Sequence, residues 1–387
     1  SRLSHAHEVT VVDPRAEFEW TPNIHELLSG VKDRGCVTLP RAECVNRYGH
    51  TFIQDLVTGI DRESSTVTTE SGHELPYDAC LVAAGSMRTT FGVEGADEHA
   101  VGFRTVDDAE RIAAKLDKLA KRKRRASVVV VGGGVSGVEA VGEILRRRGQ
   151  GDEYNIHIVE VESDILEQQL DGLARDAAER FASHPVTVHT NAVVEEVTAR
   201  SVLIEGGEKL TSDLCIWSAG MALPGFLQDA GLKGMHDQWL PVDETLRSDY
   251  ADNIFVAGDC AALPAPIRKQ AYYAMDMGEV AGDNIGRLLE GRSLEPFSAK
   301  PMPMLISFGD ITTWLVVGEA AVASPLLAAA KEGVYQATMA RLASPHEPLK
   351  YSADIVSRAV TATRQLLLPQ LTPRKIFQGL TGSRFIF

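Results

Sequence analysis

The sequence predicts an α/β fold of parallel sheets with crossover helices, and three observations predict it. Short apolar runs of strand type alternate with helix-like periodicity over the first three quarters of the chain. One run, Val128 to Val131, passes through a glycine-rich turn directly into a helical pattern. Two other strands end in matching small-residue junctions, Ala84-Gly85 and Ala219-Gly220, each preceded by an acidic residue, Asp78 and Asp213. A repeated junction of this kind points to two related nucleotide-binding domains.

Taken in order, the strand candidates are 8–12, 66–69, 79–83, 128–131, 156–160, 186–189, 201–204, 213–217 and 253–257. Helical periodicity is clearest over 106–120, 136–148, 168–183 and 270–290. After residue 291 the pattern changes. Pro296, Pro301 and Pro303 punctuate a new segment, apolar stretches follow at 304–318 and 321–343, and an amphipathic run at 355–368 stops at Pro369. These boundaries predict a first nucleotide domain over 1–105 and 237–290, interrupted by a second over 106–236. A smaller α+β domain over 291–387 completes the chain. The opening residues Ser1 to Ser4 read as a helix tail before the strand that ends in Asp13. A chain starting inside a βαβ unit would have its first glycine turn upstream of Ser1.

Bulk properties narrow the function classes. The 387 residues carry a formal net charge of −14, with 44% hydrophobic and 24% charged residues. That balance describes a folded globular protein and argues against nucleic-acid partners, which need Lys and Arg to neutralise phosphates. The basic run Lys121 to Arg125 lacks interleaved aromatics and reads as a solvated helix end. Five cysteines, Cys36, Cys44, Cys80, Cys215 and Cys260, show no C-x-x-C or zinc-like spacing, so free thiols in a reducing compartment are expected. No metal site is expected. No stretch is long and apolar enough for a transmembrane helix.

The chemistry-bearing segment is 128–140. Gly132-x-Gly134-x-x-Gly137 follows a buried strand and opens a helix. The first glycine permits the tight turn, the second lets backbone approach a pyrophosphate, and the third lets helix and strand pack closely. The helix N-terminus offers free N–H groups to phosphates. Glu160 closes the next strand at a place where a carboxylate can bond an adenosine ribose and repel a 2′-phosphate. Glu162 and Asp164 add negative charge, so NADH is favoured over NADPH. Asp13 occupies the matching position in the first domain. In a third segment, Phe255-Val256-Ala257-Gly258-Asp259, a strand delivers a carboxylate suited to a polyol hydroxyl.

In this order and at these spacings the segments resemble the pyridine-nucleotide-dependent flavoprotein reductases. Within them the chain is most similar to the type II NADH dehydrogenases (NADH:quinone reductases) and their apoptosis-inducing-factor-like relatives. Two stretches carry the narrower likeness: Phe18 to Gly30, with its aromatic-x-Thr-Pro pattern, and Ala271 to Gly278, in register with the quinone-site helix. In the latter Tyr272 and Asp276 stand where the family carries glutamines. The resemblance implies FAD and NAD(H) as cofactors and two Rossmann-like dinucleotide-binding domains. It implies hydride transfer from NADH to FAD and delivery of electrons to an acceptor, with a quinone the leading expectation. A ferredoxin or other soluble acceptor is the enzymatic alternative, and an NAD(H) redox sensor the non-enzymatic one.

By the same carry-over, Asp13 would hold the FAD ribose and Asp259 the ribityl chain. Thr21, Pro22, Ala84, Gly85, Gly220, Gly258, Ala271 and Tyr272 would line the cofactors. Gly132, Gly134, Gly137 and Glu160 would hold NADH, and Glu139 would act near the nicotinamide. Paired cysteines for thiol chemistry are absent. The resemblance further implies a cytoplasmic protein that lies on the inner membrane face through an apolar stripe of Ile355, Val356, Ala359, Val360, Leu366 and Leu367. A homodimer is compatible with it.

Overall fold

The computed structural model describes residues 7–122, 124–147, 154–167, 169–343 and 383–386. The expected helix tail at 1–4 and the stripe at 355–368 lie outside the described residues. The chain forms two compact units. One comprises residues 1–18, 39–87 and 221–300, and the other 19–38, 88–220 and 301–387.

In the second unit, a five-stranded parallel sheet is built from β1 (Ala100–Gly102), β2 (Ala126–Val131), β3 (Tyr154–Val159), β4 (Val186–His189) and β5 (Leu214–Trp217). Its spatial order is β1-β5-β2-β3-β4. The connecting helices are α1 (Val106–Leu119), α2 (Val135–Arg146) and α3 (Asp171–Phe181). β2 is flanked on both sides, by β3 and β5 in parallel register. Its valines are therefore buried, which is why it reads as a continuous apolar run rather than an alternation. α1 starts at a capping box: Thr105 Oγ1 accepts from the Asp108 N–H at 3.1 Å, and Asp108 Oδ2 accepts from the Thr105 N–H at 3.1 Å. The described residues of the basic run after it are exposed, as expected of a solvated helix end, and Arg122 and Arg124 both pair with Asp213.

The 304–343 region of this unit folds as an antiparallel sheet of β6 (Met304–Phe308), β7 (Thr312–Val317) and β8 (Ala320–Ser324), followed by α4 (Leu327–Leu342). The sequence offered only apolar stretches there. Its core is continuous with that of the parallel sheet: Ile306, Phe308 and Trp314 share a cluster with Val128, Val141 and Ile144. Phe308 packs edge-on against Phe181 with centroids 4.8 Å apart.

The other unit centres on Ile254, Phe255 and Val256, packed with Leu240, Met277 and Ala281. Strand Ile254–Val256 pairs in parallel with Cys80–Val82, and Thr10–Val12 pairs with Thr51–Ile53. An antiparallel meander, Val57–Asp61, Thr66–Thr69 and Glu74–Pro76, adds two strands that the sequence reading lacked. Helix Ala271–Leu289 matches the expected 270–290. Among the described residues no helix is long and apolar enough to cross a membrane.

Candidate nucleotide-binding and redox site

The turn between β2 and α2 has the dimensions a dinucleotide needs. Gly132 sits at φ +103°, and a Cβ there would lie 2.9 Å from the Ala219 backbone nitrogen. A Cβ on Gly137 would lie 1.9 Å from the Gly132 carbonyl oxygen, so helix and turn touch backbone to backbone. Gly134 differs. A Cβ there meets no atom within 4 Å, so the cap of α2 opens onto free space where backbone can approach a ligand.

Glu160 follows β3, and its carboxylate accepts from the Gly133 N–H at 2.6 Å and from the Glu162 N–H at 3.1 Å. It braces the glycine turn, and a carboxylate offers further lone pairs to a ribose. Glu162 and Asp164 are both exposed. On the other side of β2, the Ser218 hydroxyl donates to the carbonyls of Val131 (2.9 Å) and Gly132 (3.1 Å), and Gly220 turns at φ +75°. The structure thus gathers Gly132, Gly134, Gly137, Glu160 and Gly220 at the carboxyl ends of adjacent strands.

Glu139 lies one turn into α2 and is buried in a charged cluster that the sequence did not show. Lys331 of α4 places its ammonium 2.5 Å from Glu139 Oε1, 2.6 Å from the Ser307 hydroxyl and 3.2 Å from His25 Nε2. The Ser307 N–H donates to the same Glu139 oxygen at 3.1 Å. His25 Nδ1 faces Glu139 Oε2 at 3.5 Å. Burial, then the Lys331 charge, holds His25 well below its ordinary value. The ring is therefore neutral, with Nε2 accepting from Lys331 and the proton on Nδ1. Burial pushes the Glu139 carboxyl up, and Lys331 pulls it back.

Thr21 and Pro22 form the short turn that precedes His25, and buried Trp20 donates to Asn23 Oδ1 at 3.0 Å. Asn23 in turn donates to Glu26 Oε2 at 2.9 Å. Glu26 pairs with Lys32 at 3.3 Å, and Lys32 pairs with Glu332 at 2.6 Å. Next along α2, Glu143 is wholly buried. It accepts from the Ser29 hydroxyl and lies 3.0 Å from Arg146, and burial lifts its carboxyl to about 7. His25, Ser307 and Lys331 escaped the sequence reading, because Lys331 stands 192 residues from Glu139 with no motif to link them.

In the other unit, Asp13 ends strand Thr10–Val12, accepts from the Arg15 N–H at 2.8 Å and pairs with Arg41 at 3.2 Å. The parallel pairing of Cys80–Val82 with Ile254–Val256 brings the first small-residue junction, Ala84-Gly85, beside the carboxylate-bearing segment Gly258-Asp259. Gly85 and Gly258 turn at φ +64° and +80°, and Ser86 donates to Asp259 Oδ2 at 2.9 Å. Beside them is a cleft of about 270 Å³ lined by Trp239, Asp259, Ile267, Lys269, Tyr273 and Met277, among others. Ala271 and Tyr272 open the helix above, and Tyr273 is the tyrosine that lines the cleft. Lys269, also missed from sequence, stacks its ammonium 3.9 Å over the Trp239 ring and donates to the Asp259 carbonyl. Burial pushes the thiols of Cys80 and Cys215 up to about 12 and that of Cys260 up to about 11, which keeps them protonated at neutral pH.

Residues 2–278 match the family model described as pyridine nucleotide-disulphide oxidoreductase. The chain belongs to this family. It is an oxidoreductase whose cofactors are FAD and NAD(H). The open backbone at Gly134 and the tight packing at Gly132 and Gly137 fit the dinucleotide. The paired strand ends at Gly85 and Asp259 fit the flavin nucleotide. The chain is 26% identical over 355 residues to the type II NADH:quinone oxidoreductase of Haemophilus influenzae, covering 79% of each. It is 28% identical to that of Staphylococcus aureus over 326 residues, covering 78% of this chain and 81% of the relative. A solved structure of NDH2 from Plasmodium falciparum in complex with NADH superposes with a TM-score of 0.74. It is 18% identical, covers 93% of this chain and 94% of that one, and speaks to the fold alone.

Proposed function

We propose that the protein oxidises NADH and passes the electrons through FAD to a quinone. The observation that carries this reading is the pairing of a nucleotide-ready glycine turn with a buried Glu139–Lys331–His25 cluster on the same helix, α2. The quinone is supported by the names of the two curated relatives. When bound, FAD supplies the two-electron exchange between nicotinamide and quinone.

The chain's own residues bind and orient. Gly132, Gly134 and Gly137 let the α2 N-terminus meet the pyrophosphate, and Glu160 takes a ribose hydroxyl while its charge disfavours a 2′-phosphate. Asp13, Ala84, Gly85, Gly258 and Asp259 hold the flavin nucleotide, with Ala271 and Tyr272 in the same unit completing its surroundings. Forming a quinol from NADH takes one proton beyond the hydride. Glu139, hydrogen-bonded to Lys331 and facing His25, holds a proton-exchanging carboxyl for that demand. We place the flavin domain at 1–105 with 237–290, the NAD(H) domain at 106–236 and a C-terminal domain at 291–387. A peripheral position at a membrane surface follows from a lipid-soluble acceptor.

Steady-state NADH oxidation by the purified flavoprotein tests the reading. Rapid turnover with a short-chain quinone is expected. Turnover only with ferredoxin or soluble oxidants, or slow reduction to a long-lived complex, would overturn it.

A further inference from the structure

Phe91 stands out among the large apolar side chains. Its ring is 70% exposed, and its backbone lies at φ +55°, a left-handed conformation that costs a bulky residue free energy. The surroundings hold it there. The Phe91 N–H donates to Thr89 Oγ1 at 3.0 Å, and the Thr89 carbonyl accepts from Trp217 Nε1 at 3.0 Å, anchoring the turn to the end of β5. The ring lies against the α-carbon of Gly220: a Cβ there would fall 2.7 Å from two of its carbons. A strained, braced and solvent-facing aromatic ring is the reverse of what folding alone selects.

Its position in the sheet tells what the ring faces. The order β5-β2-β3 places the ends of three strands side by side. Glu160 follows β3, the glycine turn follows β2, and Gly220 with Phe91 lies beyond β5. The order reverses between β2 and β5, the switch point at whose carboxyl ends such sheets bind their ligands. A dinucleotide with its adenosine ribose at Glu160 and its pyrophosphate at Gly134 has its other half directed to the β5 end.

We propose that Phe91 is a positioning residue whose ring stacks on the nicotinamide half of bound NAD(H). This deepens the NAD(H) reading above and rests on it. The cost of the left-handed backbone is offset when a flat, electron-poor ring covers the exposed face.

Calorimetric titration of the intact flavoprotein with NAD+ and with ADP-ribose, which lacks only the nicotinamide, tests this. Asn tolerates the left-handed region, so Phe91→Asn removes the ring without breaking the turn and should melt no lower than the wild type. It is expected to weaken NAD+ binding roughly tenfold, the order of a lost stacking contact, and to leave ADP-ribose binding unchanged. Phe91→Tyr keeps the ring face and should bind NAD+ as the wild type does. Unchanged NAD+ affinity in Phe91→Asn, an equal loss for both ligands, or loss of NAD+ binding in Phe91→Tyr would each overturn the proposal. If the wild type binds neither ligand, the NAD(H) reading itself has failed.

Discussion

The three motif glycines do different work, and single alanines separate that work. At Gly137 a Cβ would sit 1.9 Å from the Gly132 carbonyl oxygen, against a practical floor of 3.0 Å. Both partners are backbone, so α2 must move away from β2 by about an ångström. Overpacking of this kind costs about 1–3 kcal/mol, and a compact unit of this size loses roughly 2–4 °C of melting temperature per kcal/mol. Gly137→Ala should therefore melt about 2–12 °C lower.

Gly134→Ala meets nothing within 4 Å, and its φ of −69° suits any residue. Its melting temperature should stay within about 1 °C of the wild type, since a surface change without a clash is nearly neutral. The added methyl instead occupies the space reserved for the pyrophosphate. NAD+ affinity should fall at least about tenfold, equivalent to about 1.4 kcal/mol. Differential scanning fluorimetry and calorimetric NAD+ titration on the same preparations read both quantities. Wild-type NAD+ affinity in Gly134→Ala would refute the reasoning, as would wild-type stability in Gly137→Ala.

Other outcomes follow from the buried charges. Glu143 titrates at about 7 in the fold against an ordinary 4.5, so its stabilising contribution is complete below 4.5 and lost as pH rises through 7. That loss amounts to about 3 kcal/mol. Urea denaturation should show Glu143→Gln gaining on the wild type by about this much between pH 4.5 and 8; a pH-independent difference would show that Glu143 does not titrate as stated. Lys331→Met leaves Glu139 buried without its cation and should destabilise the protein by about 3–5 kcal/mol. The Glu139→Gln/Lys331→Met double variant should cost less than the sum of the two single changes, and strict additivity in denaturation would disprove their coupling. Asp259→Ala should weaken flavin retention about tenfold or more, the scale of a lost charged hydrogen bond. The flavin-to-protein absorbance ratio after gel filtration reads this, and an unchanged ratio would remove Asp259 from the site.

Where a feature is local, the chain states it outright. The four valines of β2, the glycine turn and the periodicity of α2 are fixed by strand burial, backbone sterics and helical repeat, all acting within about a dozen residues. For that reason the strands at 128–131, 186–189 and 201–204 and the helices at 106–120 and 270–290 stand close to where they were expected. The antiparallel strands at 57–61, 194–197 and 208–211 left no such signature, because their sequences VTGID, VEEV and EKLT are broken by charged residues or glycine and form no apolar run.

Glu139 shows the division most clearly. Its place on α2 is legible from Gly137-Val138-Glu139, but its chemistry comes from His25, Ser307 and Lys331, drawn from three distant segments. Phe91 is likewise an ordinary residue in sequence and becomes distinctive only through its left-handed backbone and its contact with Gly220. Sequence determined the elements and the nucleotide turn, since neighbours along the chain decide those. Tertiary structure decided which charges are buried together, because Coulombic and desolvation energies depend on distance through space, and 192 residues of chain separate the closest pair at Glu139.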